Sequence, residues 1–600
     1  MLSGQTGATG SGSGNPPAEP APTGSTGATG PSCAAMELPY DGVDNDCDAA
    51  TKDDDLDNDG VPKASDCNDN EAAVSSTIVG YADDDSDGFG AGPAVSLCAT
   101  TPPPGYAATD QDCAPGDPAV HATIPGYRDN DGDGIAGTLE NVCALSLPGG
   151  FSATGPDCND TDPSVGTGSS YYDWPDDGID QDCVGGDVKV LSLANVVFVD
   201  KGAASCADGG PGTAGAPKCT IGAAITSAPT GATVAVAANA SSYNEALDIQ
   251  KDLAIIGGYT PNFVSHSRIA STTIGVLGAG PLTAAGAARI RVGDAAVANV
   301  QAHLGNFNAT MASPAGQVLA IDHGAAAYLR ELTLTVGGNG NASATTVLGG
   351  AYLDATDCAF YGSTAGNSGG GATVFLSQAE ATIARSRIFG GHVLMNKSAS
   401  ALSLVNASVA FVMSSLLVAP TITAPATSHA VSSASESKLH AANNTIVGVA
   451  GTEPIVRLYD GENRVVSNIF HATDVNTRGI EVGDTTGNGA PLLLETNLFS
   501  LAGTQILRSI HPPSSPVYVT TSADLNACAS VWDLCATSAG NIVAPATFAE
   551  TTNYTLALGS PAIDAGLDAA TRFVTSGLHR RDLLGKFRPA NAIDIGATER

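Results

Sequence analysis

A chain of 600 residues is too long for one compact core, so several domains or a repeat solenoid are expected. The formal net charge is −36, and residues 1–187 alone hold 34 of the 61 acidic side chains against three basic ones, Lys52, Lys63 and Arg128. Such a segment repels nucleic acid and anionic membrane, and it repels itself unless cations neutralise it.

Residues 1–31 are rich in Gly, Ser, Thr and Pro, with Thr-Gly-Ala-Thr-Gly at 6–10 and again at 26–30. They cannot bury apolar area and are expected to be a disordered tether through which the chain is anchored to a cell surface. The N-terminus lacks the basic and apolar regions of a signal peptide. Leu2-Ser3-Gly4-Gln5 is similar to a lipoprotein cleavage box, with glutamine where the lipidated cysteine would stand. Export with a leader lying outside this sequence is the expectation. No run of about 20 apolar residues occurs, so no transmembrane helix is expected.

Residues 32–187 repeat an aspartate-rich phrase: Asp55-Leu56-Asp57-Asn58-Asp59-Gly60, Asp83-Asp84-Asp85-Ser86-Asp87-Gly88 and Asp129-Asn130-Asp131-Gly132-Asp133-Gly134. Alternate carboxylates ending in glycine wrap oxygen ligands around Ca²⁺, the glycine permitting the sharp turn. Hard oxygen ligands favour Ca²⁺ over zinc or copper. In the third loop Glu140 falls at position 12, where a bidentate ligand belongs, and in the first Asp66 does. The second has Ala94 there, so it must borrow Asp112 or Asp117. Asp66-Cys67-Asn68-Asp69, Asp112-Cys113 with Asp117, and Asp157-Cys158-Asn159-Asp160 with Asp162 are expected to complete these shells or to bind further ions.

Eight of the 13 cysteines share this region, none in a zinc spacing, so disulfides in an oxidising compartment are expected. Cys98 and Cys113 stand 15 residues apart, as do Cys143 and Cys158, at equivalent places in the repeat, and each couple is read as a link. The pairing of Cys33, Cys47, Cys67 and Cys183 stays open. With few aliphatic residues, metal and disulfide must supply what a core cannot.

From about Val188 the composition turns to Ala, Val, Leu, Ile, Thr and Gly. Short β-branched runs, Val196–Val199, Thr233–Val236, Leu253–Ile256 and Leu332–Val336, predict strands, while Ile221–Ala228 carries a brief helical period. The ends of successive runs, Val336, Phe360, Phe389, Val418, Val447, Phe470 and Phe499, recur at steps of 23 to 29 residues. That is the rung of a parallel β-helix, in which asparagines of one register can stack as an internal ladder. A β-sandwich is the competing fold, but it would show alternation and hairpin turns. Cys206/Cys219 and Cys528/Cys535 look like loop staples, and Cys358 is left over as a buried small hydrophobe.

Two resemblances follow. The 81–163 repeats, with Tyr-x-Asp-x-Asp-x-Asp-Gly, a cysteine, Gly-Tyr or Gly-Phe, then Asp-Cys-x-x-x-Asp-Pro, resemble the MopE-type metal-binding motif of bacterial surface proteins. Asp41–Asp48 and Asp177–Cys183 look like that family's Asp-Gly-x-Asp-Asn-Asp-Cys-Asp phrase, with Tyr40 and Asp176 where a cysteine usually precedes it. Val197–Asp200, Pro217–Ile221 and Ala223–Ile225, with Leu253–Gly258, look like the opening of secreted right-handed β-helix proteins, and Ser560–Gly566, Arg588-Pro589 and Asp594–Ala597 are similar to their closing segment. The combination is of the kind found in myxobacteria-like bacteria. It implies an all-β chain: tether 1–31, calcium-binding disulfide repeats 32–187, and a right-handed parallel β-helix 188–600.

The expected role is that of a secreted or cell-surface calcium-binding protein, structural and adhesive, whose β-helix meets polysaccharide or extracellular matrix. The alternative is a polysaccharide lyase or glycoside hydrolase on the β-helix, for which Asp354, Asp357, Arg385, Arg387 and His392, or Arg457, Asp460, Glu462 and Arg464, are the thin candidates. No phosphate loop or nucleophile elbow is present.

Overall fold

The computed structural model describes the chain from residue 33 onward, apart from 50–51, 132–134, 136, 163–164, 167–171, 240, 268–271, 276–287, 312–314, 338–340, 364–370, 394–397, 423–426, 452–453, 484–491, 511–514, 528–534, 568–580, 587 and 589–592. The expected tether, Asp133 and Cys528 lie outside the described residues. Two compact units are present: Met1–Ile124 with Cys143–Ser146, and Pro125–Val142 with Leu147–Arg600.

In the first unit Thr77–Ala82 pairs antiparallel with Ala91–Cys98 on one edge and with Tyr106–Ala107 on the other. The aspartate loop 83–88 is the connection between the first two strands. Val74 and Ala107 are the only buried apolar side chains among the described residues of residues 33–124. Two side chains cannot offset the ordering of so long a segment. Covalent links do part of that work: Cys33–Cys47, Cys67–Cys98 and Cys113–Cys143. The expected Cys98–Cys113 and Cys143–Cys158 links are therefore wrong. Cys98 ends its strand opposite Thr77, the start of the strand that follows Cys67, whereas Cys113 lies beyond the strand on the other edge. Cys158 bonds Cys183 instead, within the second unit.

The second unit is dominated by three sheets of 12, 10 and 11 strands, called A, B and C here. In A the strands follow Val196–Val199, Ala232–Ala237, Leu253–Tyr259 and so on to Cys535–Ala539, each pairing in parallel with the next. From Leu253–Tyr259 to Leu492–Glu495 the chain visits B and then C once between consecutive A strands, so that each of these circuits is one rung of a parallel β-helix. The run ends read from sequence mark this period but mix two faces. The inward column of sheet B is Leu334, Phe360, Ile388, Leu417, Ile446, Phe470 and Phe499. Phe389, Val418 and Val447 stand one residue further on and pack under Leu583 and Ala597 of the C-terminal segment. Because that segment covers the outside of sheet B, both faces of its strands are apolar, and a run's end no longer tells in from out.

The turns from A to B carry one residue at positive φ; after Asn306 and Glu331 the next, buried residue is Phe307 or Leu332, and from Asp357 onward it is a small residue pointing inward. Asp357, Arg385, Ser414, Asn443, Ser467 and Thr496 take φ between 46° and 57°. Behind them Cys358, Ser386, Ser415, Asn444, Asn468, Asn497 and Asn541 form a single buried column. Cys358 occupies a ladder position, 1% exposed, its thiol donating to Thr356 O at 3.3 Å. It is the free cysteine among the described residues.

The ends of the coil are closed. A helix, Ile221–Ser227, seats Ile221, Ala224 and Ile225 on the first rungs, its N-terminal N–H groups of Ile221 and Gly222 donating to Glu245 at 3.0 and 2.8 Å. Cys206–Cys219 ties the loop before it, as read from sequence. At the far end Leu507–Ile510 turns back antiparallel to Val517–Val519, and a helix, Ser522–Asn526, buries Leu525. These devices cap strand edges and apolar surface that would otherwise recruit another chain. Cys535 is disulfide-bonded.

Candidate calcium centres and the charged faces of the β-helix

Loops 55–60 and 83–88 fold alike, differing in one bond of the first aspartate. The first aspartate accepts two backbone N–H groups: Asp55 from Asp59 and Gly60 at 3.1 and 3.0 Å, Asp83 from Ser86 and Gly88 at 2.8 and 3.2 Å. The middle ones, Asp57 and Asp85, each accept through Oδ1 from the residue two further on, at 3.3 Å. Asp59 and Asp87 close the loop through Val61 N–H and Phe89 N–H. Gly60 and Gly88 sit at φ 94° and 91°, which explains the glycine at position 6.

Further aspartates arrive from the Asp-Cys turns. Asp66 and Asp112 use Oδ1 to accept the N–H of Asn68 and Ala114, at 2.8 and 2.7 Å. Asp69, 6% exposed, accepts the N–H of Leu56, at position 2 of the first loop, at 3.1 Å. Asp160 does the same for Asn130 of the third loop at 2.9 Å.

What remains is a set of carboxylate oxygens facing one another. Oδ2 of Asp57, Asp66 and Asp69, and Oδ2 of Asp85, Asp87 and Asp112, are shielded from solvent and accept no hydrogen bond, with His121 Nδ1 3.4 Å from that of Asp87. Asp55, Asp57 and Asp69 bring oxygens within 4.8 Å of one another, as do Asp57, Asp59 and Asp66. A buried carboxylate oxygen with neither donor nor cation is costly, and several at one point repel. Desolvation, then the charges of Asp87, Asp112 and Asp83, raise Asp85 above the usual carboxylate range. The donor set is all oxygen and fits Ca²⁺. Glu37, with Asp41 and Asp53, forms a further acidic group of this spacing.

Other expected ligands are placed elsewhere. Asp117 stays on an exposed turn and accepts Ala119 N–H, so of the two candidates only Asp112 stands near the second loop, where its charge acts on Asp85. Glu140 is held by Arg128 through two bonds of 2.8 and 2.7 Å rather than turned to the loop, because adjacent strands set the two side by side. Asp162 lies 3.8 Å from Arg581, beside the C-terminal segment. Asp129 is half-buried and Asp131 fully buried at the third loop, and Asp157 is buried beside the Cys158–Cys183 bond, whose sulfurs are not thiolate ligands.

The charged candidates on the β-helix divide among faces. Asp354 points out of sheet A between Tyr328 and Thr382, and Tyr352 Oη donates to it at 3.3 Å. Burial pushes its carboxyl up to about 6, against the hydroxyls of Tyr352 and Thr356. Asp357 and Arg385 form a two-bond pair at the turn, 3.0 and 2.9 Å. Arg387 is spent on Asn553 of the closing segment, and His392 lies against Thr421. In the second group Arg457 faces out of sheet C, whereas Glu462 and Arg464 pair at 2.9 Å beside sheet A. Neither group converges on one point.

Next to Asp354 the outer face of sheet A carries a stack of rings: Tyr172 on His303 at 3.9 Å, His303 on Tyr328 at 4.7 Å, then Tyr352. Burial drops His303 to about 4, so it is neutral there.

Five disulfides between described residues are the chemistry of an oxidising compartment outside the cytosol. Among the described residues no helix is long and apolar enough to cross a membrane. No family model and no curated protein matches the chain. Among solved structures, a rhamnogalacturonan lyase is similar at 12% identity and a TM-score of 0.28, over 51% of this chain and 87% of that one. A protein titled Geobacillus virus E2 ORF18 follows at 8% and 0.20, over 50% and 60%. A pectin methylesterase from Aspergillus niger stands at 12% and 0.19, over 64% and 96%. Likeness at this level carries no weight for the chemistry of the chain.

Proposed function

We propose that this is an exported calcium-binding protein, structural rather than catalytic, in which ion-clamped repeats carry a β-helix that binds extracellular glycan. The observation that supports the calcium reading is the convergence of shielded, donorless oxygens from Asp57, Asp66 and Asp69 in one repeat and Asp85, Asp87 and Asp112 in the next. Calcium would be held by these side chains with Asp55, Asp59 and Asp83. What it supplies is charge neutralisation where apolar burial is nearly absent. At free Ca²⁺ a hundred times Kd, each site contributes about 2.7 kcal/mol to folding. The test is metal analysis and calorimetric titration of the full chain beside Asp57→Asn and Asp85→Asn. Loss of bound Ca²⁺ in each variant is expected; native protein that binds none would end the proposal.

A second reading, polysaccharide cleavage, is favoured by Asp354, a carboxyl held near 6 on a sheet face lined by Tyr328 and Tyr352. A group of that pKa is suited to proton donation. A hydrolase also needs a second carboxylate, and the nearby Asp357 is engaged by Arg385. Release of new reducing or unsaturated ends from a polysaccharide panel, lost in Asp354→Asn, would establish it; no release by the native chain would remove it.

A further inference from the structure

Outward residues of successive rungs stand in line on sheet C: Phe375, Ser403, Ser432, Arg457, Glu481, Arg508 and then Tyr518. After Phe375 the strip carries the hydroxyls of Ser403 and Ser432 and then a knot of charge. Glu481 is 6% exposed and accepts from Arg508 Nη1 at 2.8 Å and Tyr459 Oη at 2.6 Å, with Arg478 Nη2 at 3.6 Å. Arg457, one rung below, lies 4.3 Å over the Tyr459 ring. Arg508 lies 5.7 Å from the ring centre of Tyr518, which is half exposed.

Two guanidinium groups, those of Arg508 and Arg478, thus flank one carboxylate, and a third, that of Arg457, stands in the same line one rung below. Among the described residues no carboxylate comes within 4.0 Å of Arg457, which instead rests on an aromatic face. This local excess of positive charge occurs in a chain with 25 basic and 61 acidic residues. At physiological salt, exposed charges beyond about 8 Å are largely screened, so a ligand on this strip meets the arginines rather than the distant aspartates.

We propose that this strip of sheet C binds a carboxylate-bearing polysaccharide, laid along the stack of rungs, with Arg457 and Arg508 on its acid groups, Tyr459 and Tyr518 against sugar rings, and Ser403 and Ser432 on hydroxyls. The geometry is that of an extended polymer. Rungs repeat at about 4.8 Å, so Arg457 and Arg508, two rungs apart, present guanidinium groups about 10 Å apart on a flat face. Guanidinium forks match carboxylates in two parallel bonds. Tyrosine offers apolar ring area with a polar tip.

The inference rests on the glycan-binding reading above and specifies its ligand. The test is calorimetry on the full, calcium-loaded chain with a short oligouronate, a neutral oligosaccharide of equal length and dextran sulfate, at low and high salt. Expected are oligouronate binding that weakens with salt, a tenfold or greater loss in Arg457→Gln, and a smaller loss in Tyr518→Ala with an unchanged melting curve. Equal binding of oligouronate by Arg457→Gln overturns the assignment, as does binding of dextran sulfate alone. Binding of the neutral sugar alone, unaffected by Arg457→Gln, overturns it while leaving the glycan reading intact. No binding of any sugar ends both.

Discussion

Asn497 Oδ1 accepts from both the backbone N–H and the side-chain amide of Asn468, at 2.9 and 3.1 Å. The same double bond recurs one rung down, from Asn444 to Asn468 at 2.9 Å each, and one rung up, from Asn497 to Asn541 at 3.1 and 3.0 Å. The amide of Asn468 also donates to Val466 O of its own rung and to Ala441 O of the preceding one. Every polar atom of the column is therefore met inside an apolar coil, and each asparagine fixes the height of the next.

Asn468→Ala would leave Asn444 with two donors and no acceptor. A loss of about 2–4 kcal/mol from the β-helix transition is expected, since each buried unmet group costs about 1–3 kcal/mol. Asn468→Ser should cost less, because Ser386 and Ser415 already serve that register. Thermal unfolding followed by circular dichroism decides it; an Asn468→Ala melt equal to the native one would refute the ladder's role.

Calcium removal is expected to act on the first unit and spare the coil. In EDTA, hydrogen exchange across 55–112 should approach unprotected rates, while strands such as Val409–Met413 keep their protection. Uniform protection before and after chelation would contradict the proposed clamp.

Non-reducing peptide mapping should return Cys67 linked to Cys98 and Cys113 linked to Cys143. The paired change Cys67→Ser with Cys98→Ser is expected to destabilise the first unit by about 2–4 kcal/mol. Recovery of a Cys98–Cys113 peptide from native protein would show the pairing to be otherwise.

Asp354 gives the β-helix a pH dependence. Its folded pKa, about 6, lies above the ordinary carboxylate value, so folding takes up a proton more readily than the unfolded chain. The stabilising contribution is complete below about pH 4 and is lost as pH rises through 6. Asp354→Asn should therefore gain stability over the native chain at pH 8, with the gap shrinking toward pH 4.5. Denaturant titrations at the two pH values measure it, and a gap that does not change with pH would exclude the raised pKa.

Periodicity and composition carried the architecture. The recurring phrases at 55, 83 and 129 located the acidic loops, and the spaced apolar runs after Val188 located the rungs, because both depend on chain-local order. Asn444, Asn468 and Asn497 were legible as a ladder for the same reason. Register was less legible: Phe389, Val418 and Val447 look like core residues, and Val447 is buried and the other two partly so, but by the returning C-terminal segment on the outside of the coil.

Residue order also determined that carboxylates of 83–88 gather in one loop, since four of them lie within five positions. Only the tertiary structure decided which partners cross between elements. Cys98 meets Cys67 because an antiparallel strand returns it to the start of the hairpin. Asp69 reaches the first loop, Glu140 is taken by Arg128, and Arg457, Glu481 and Arg508 align from separate rungs. Spacing along a chain sets turn and strand geometry, whereas pairing across strands depends on which edges meet. That is fixed only when the whole coil and its covering segments are in place.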